Sequence, residues 1–93
     1  MPTYVMIGKY ACGAIGAISA QRTNAARQIL KDCGGSLVTG YATLGASDVL
    51  LICELPNTEA AIVASIGLTK GLGIAFSTTP AVPVEEFDKL VGA

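Results

Sequence analysis

A chain of 93 residues is long enough for one hydrophobic core and too short for two, so a single domain spanning 1–93 is expected. Hydrophobic residues make up 52% and charged residues 14%, whereas soluble chains are roughly 25% charged. Apolar surface must therefore face water or be covered by another copy of the chain, and the second is expected. The net charge of −1 comes without a basic cluster, since Asp32 directly follows Arg22, Arg27 and Lys31 on their helix; a nucleic-acid-binding surface is not expected.

A membrane span needs about 20 uninterrupted apolar residues, and the longest uncharged stretches are broken by Gly, Ser, Thr and Pro. Met1-Pro2-Thr3-Tyr4 has no basic signal-peptide start, so the cytoplasm is the expected location.

The first strand is read at Thr3–Tyr10. Strand alternation sends Val5, Ile7 and Lys9 to one face and Tyr4, Met6, Gly8 and Tyr10 to the other. Residues 11–17 are small and read as a loop. Helix one is predicted over 19–32, with Ser19 as N-cap. Ala25, Ala26, Ile29, Leu30, Cys33 and the stem of Arg22 form its apolar stripe. Gly34-Gly35 ends it, because glycine accepts the left-handed conformation that closes a helix.

Strands are then predicted over 37–44 and 49–55, joined at Gly45-Ala46-Ser47-Asp48 as an antiparallel hairpin. Helix two follows over 58–69, capped by Asn57 or Thr58, and is nearly all apolar or small. A surface helix on one sheet does not require that. The fourth strand is read over 73–79. A last helical turn aligns Val84, Phe87, Leu90 and Val91, with Glu85, Glu86, Asp88 and Lys89 outward.

The order β-α-β-β-α-β is the ferredoxin-like, split βαβ plan, an α+β fold with a four-stranded antiparallel sheet. In the third strand Val49, Leu51, Cys53 and Leu55 share one face and Leu50 and Ile52 the other. Both faces are apolar, so one is expected under the helices and the other against a second sheet, as in a dimeric α/β barrel.

Specific residues carry a resemblance. Tyr4-Val5-Met6-Ile7-Gly8-Lys9-Tyr10, Ala42-Thr43-Leu44-Gly45-Ala46-Ser47-Asp48, Ser65-Ile66-Gly67-Leu68 and Pro80-Ala81-Val82-Pro83-Val84-Glu85-Glu86-Phe87 resemble the GYD-domain family of the dimeric α/β-barrel superfamily over essentially the full length. Gly45 and Asp48 match the family signature at the hairpin, and Ser47 stands where the family has tyrosine. The resemblance implies the fold and a homo-oligomer and names no activity.

Ligand-binding candidates are Lys9, Tyr41, Asp48 and Thr78. Asp48 reads as an acid/base or polar anchor at a pocket mouth, or as a turn residue bonding backbone N–H groups. Lys9 lies inside an apolar strand, where its ammonium either pairs with Asp48 or Glu54 or reaches out to water. Tyr10 and Tyr41 offer hydroxyls. Thr39, Tyr41 and Thr43 share one face of the second strand, and Ile74, Phe76 and Thr78 one face of the fourth; together they would line a polar-apolar cavity or a wet interface.

With no histidine and three unclustered cysteines, no zinc site and no other cofactor is expected. Cys53 reads as core, and Cys12 is the thiol to test for reactivity. No glycine-rich phosphate loop occurs. Three function classes follow: a ligand-binding or accessory oligomeric module with a small apolar pocket between sheet and helices, a cofactor-independent enzyme of isomerase or monooxygenase type, and a purely structural assembly protein.

Overall fold

A computed structural model describes residues 1–10 and 20–92. Ser19, the loop read over 11–17 and the Cys12 thiol lie outside the described residues. The elements are β1 (Thr3–Tyr10), α1 (Ala20–Asp32), β2 (Ser36–Ala42), β3 (Val49–Glu54), α2 (Thr58–Leu72), β4 (Ile74–Ala81) and α3 (Val84–Val91). One antiparallel sheet has the order β2-β3-β1-β4. The α+β plan and the expected element order hold.

Several boundaries differ from the sequence reading, each for a local reason. β2 stops at Ala42 because Thr43 turns into the loop, its Oγ1 donating to the Ser47 carbonyl at 2.8 Å. α2 continues to Leu72 and closes at Gly73, whose N–H reaches the Thr69 carbonyl at 3.0 Å. β4 extends to Ala81 because β1 pairs with it along its whole length, from Tyr10↔Ile74 to Thr3↔Ala81. Pro80 is tolerated there because β4 is an edge strand.

The register assigns the faces. On β1, Tyr4 and Met6 turn toward the helices and are buried, whereas Val5, Ile7 and Lys9 occupy the open face. On β3, Leu51 and Cys53 point to the helices and Leu50 and Ile52 to the open side. Side-chain alternation alone would place Leu37 and Thr39 together. A register irregularity between them changes this, so Leu37 pairs with Cys53 on the helix side and Thr39 with Ile52 on the open side.

The core lies between the sheet and α1–α2. Met6, Leu30, Cys53, Leu55 and Leu68 are its largest fully buried side chains. α1 contributes Ala26 and Leu30, from the predicted stripe, with Ile29 and Cys33 packed alongside. It closes at Gly34, with φ of 87°. Gly35 follows against β3; a Cβ there would lie 1.9 Å from the Glu54 carbonyl oxygen, so only glycine fits.

Asn57 is the N-cap of α2, its Oδ1 accepting from the Ala60 N–H at 2.8 Å. At the other end, the Arg22 guanidinium donates to the Leu72 carbonyl and lies 5.1 Å from the Tyr10 ring centroid. A cation there complements the helix C-terminus and links α1, α2 and β1. α2 buries Ala61, Ala64 and Leu68. α3 buries none of its residues, leaving Val84, Phe87, Leu90 and Val91 exposed. No helix among the described residues is long and apolar enough to cross a membrane.

Candidate functional site

A groove runs between α2 and the edge strand β4. It encloses a cavity of about 270 Å³ lined by Tyr4, Thr58, Ala61, Ile62, Ser65, Ile66, Thr78 and Pro80. Two causes create it. Among the described residues no strand lies beyond β4, and α2 presents the small Ala61 and Ser65 toward it. The walls are largely aliphatic. Tyr4, Thr58, Ser65 and Thr78 carry hydroxyls, and two of these are joined: Thr78 Oγ1 donates to Ser65 Oγ at 3.0 Å. A serine hydroxyl that accepts one bond still has its own proton to donate. The groove can thus hold a small apolar molecule and meet one polar group on it.

The four candidate residues do not converge. Thr78 lines the α2–β4 groove on the helix side of the sheet. Tyr41, paired with Leu50, stands on the open face and is exposed. Lys9 and Asp48 come close to the same hairpin turn but use it differently. Lys9 is exposed and its Nζ donates to the Ala46 carbonyl at 3.5 Å. It borders a shallow depression with Ile7, Ala46, Ser47, Ala75, Phe76 and Ser77 that Asp48 does not line.

The Asp48 carboxylate instead accepts the Tyr10 N–H at 2.9 Å, while the Asp48 N–H donates to the Gly8 carbonyl at 2.8 Å. These bonds fasten the β2–β3 turn to the end of β1, the turn-residue alternative for Asp48. The cavity imagined from Thr39 and Tyr41 together with Ile74, Phe76 and Thr78 does not form, since the two sets lie on opposite faces.

Ser65, the hydroxyl partner of Thr78 in the groove, is not among the four residues expected from the sequence. Its signal was present, as a polar side chain in a helix that is otherwise nearly all apolar or small. A second, smaller cavity of about 80 Å³ lies under α1, among Tyr10, Arg22, Ala26, Leu51, Ile74 and Phe76.

Burial pushes the Cys53 thiol up to about 11. Its Sγ contacts the Tyr4 carbonyl at 3.7 Å, as befits a core residue and not a nucleophile. No group of three or more His, Cys, Asp or Glu that could hold a metal ion occurs among the described residues.

The GYD-domain family model matches residues 4–91, from the buried Tyr4 of β1 to the end of α3. The chain belongs to the GYD-domain family. No curated protein and no solved structure matches it. In this GYD domain Gly45 has φ of 109°, a conformation that favours glycine, and Asp48 makes the β1 contacts described above. At position 47 the backbone carbonyl bonds Thr43. The turn therefore closes through main-chain bonds, the Thr43 hydroxyl and the Asp48 carboxylate.

Proposed function

We infer that this GYD-domain chain is a cytoplasmic homo-oligomeric module that binds a small, mainly apolar molecule in the groove between α2 and β4. The groove itself carries the reading: about 270 Å³ of aliphatic lining with one hydroxyl pair, Thr78–Ser65, set into it. That composition suits a molecule the size of a substituted phenol, with its ring against Ile62, Ile66 and Pro80 and its hydroxyl at Ser65. Thr78 keeps a role in binding. Lys9 and Asp48 brace the hairpin, and Tyr41 belongs to the contact between copies. Neither nucleic acid nor a membrane is a partner in this reading.

The open sheet face supports the oligomer. Val5, Ile7, Leu50 and Ile52 form its centre, flanked by Thr39, Tyr41, Ser77 and Thr79. A solvated sheet face would be polar at those central positions. Two such faces packed across a two-fold axis, as in a dimeric α/β barrel, remove the apolar centre from water.

The test is a thermal-shift titration with p-cresol. A ligand at 100 times its Kd adds about 2.7 kcal/mol, and each 1 kcal/mol raises Tm by roughly 4–8 °C in a domain of this size. The wild type should shift, and Ser65→Leu, which fills the groove from a half-buried position and removes its hydroxyl, should not, with circular dichroism confirming that the variant is folded. A shift that persists in Ser65→Leu would place binding elsewhere and overturn the assignment. No shift across a panel of phenols and short-chain alcohols would do the same.

A further inference from the structure

The outer side of α2 has an unusual composition. Ala61, Ala64 and Leu68 turn to the core. Three- and four-residue spacing then places Glu59, Ile62, Val63, Ile66 and Lys70 along the opposite side. A helix whose outer side meets only water carries polar residues there. Here Ile62, Val63 and Ile66 stand 59%, 62% and 52% exposed, and the charges are confined to the two ends.

We propose that α2 packs antiparallel against α2 of a second copy of this chain, across a two-fold axis. The charge pattern selects both the partner and the direction. Place the axis between positions 64 and 65, the midpoint of Glu59 and Lys70. Val63 then faces Ile66 of the partner subunit, and Glu59 faces Lys70 of the partner subunit. Symmetry repeats both pairs, so an apolar centre is closed at each end by opposite charges. Parallel packing would instead set Glu59 and Lys70 each against its own kind. Glu59 lies three positions before Ile62 and Lys70 four positions after Ile66, so opposite charges flank the apolar stretch and meet one another when two copies run antiparallel.

This surface lies on the helix side of the sheet, away from the open face. One copy can therefore use both, and the assembly grows beyond a dimer. The contact does not depend on the ligand reading. Ile62 and Ile66 also line the groove, but Val63 does not, so Val63 variants probe the helix contact alone.

Sedimentation velocity over a concentration series tests the proposal on the full chain, with circular dichroism confirming that each variant is folded. Val63 is exposed, so Val63→Glu leaves the fold intact. It should remove the species larger than a dimer. Glu59→Lys and Lys70→Glu should each weaken that species about threefold to tenfold, on the scale of exposed ion pairs, and the double reversal should restore it. Leu50→Glu, on the open sheet face, separates this contact from the sheet contact. If Val63→Glu abolishes association that Leu50→Glu leaves untouched, the helix contact stands and the sheet contact fails. If the wild type is no larger than a dimer and Val63→Glu sediments identically, the helix contact is overturned. A double reversal no better than either single one also overturns it.

Discussion

The two faces of the sheet are built by the same strands and carry almost the same kind of residue, yet they behave differently. On the helix side, Tyr4, Met6, Leu51 and Cys53 are buried within the chain. On the open side, Val5, Ile7, Leu50 and Ile52 are equally apolar, and Ile7 remains 42% exposed. Composition does not separate these faces. What separates them is whether this chain supplies a cover. The helix side is covered by this chain's own helices; the open side is not.

The largest expected effect lies on the covered face. Leu30, on the inner side of α1, is fully buried, so Leu30→Ala should cost about 2–5 kcal/mol of folding stability. Urea denaturation measures this. A loss under 1 kcal/mol would mean that the covered face is loosely packed and the contrast false.

Cys53 sharpens the contrast through pH. Burial pushes its thiol up to about 11 from an ordinary 9.0. The unfolded chain therefore releases this proton first. The contribution to stability is complete below pH 9 and is lost as pH rises toward 11, by at most about 3 kcal/mol. Denaturation curves of the wild type and Cys53→Ala across that window should differ in slope. In native protein, Cys53 should also react with a thiol reagent far more slowly than half-buried Cys33.

The open face gives the smallest change in folding and a large change in assembly. Leu50 is half-buried between Ile7 and Tyr41, so Leu50→Glu should cost the monomer about 1 kcal/mol, less than Leu30→Ala. It should also break the sheet-to-sheet dimer, because the new charge would be buried without a partner. Light scattering that shows an unchanged dimer would mean that the open face is not the contact.

Much of the fold was legible from local pattern. Alternation in β1 and β3 assigned inward and outward sets correctly, since a strand reverses its side chains at each residue whatever it packs against. Helix one's stripe and its Gly34-Gly35 end were legible because periodicity and left-handed closure are local properties. The candidate site was less legible. Thr78 was among the four expected residues, but Ser65 was not, and the two meet only because α2 crosses β4. Tyr41 and Thr78 were grouped and lie apart, because the irregularity between Leu37 and Thr39 sends Tyr41 to the open face.

Element order, the α+β class, the apolar character of both sheet faces and, through the motifs, the GYD family are all readable from the order of residues alone. These depend on neighbours three or four positions away, or on residue type alone. That β4 is an edge, that α2 leaves a groove beside it, and that Asp48 bonds the end of β1 instead of lining a pocket emerge from the folded arrangement. Those facts depend on register and on crossings between segments far apart in the chain, where a shift of one residue exchanges one face for the other.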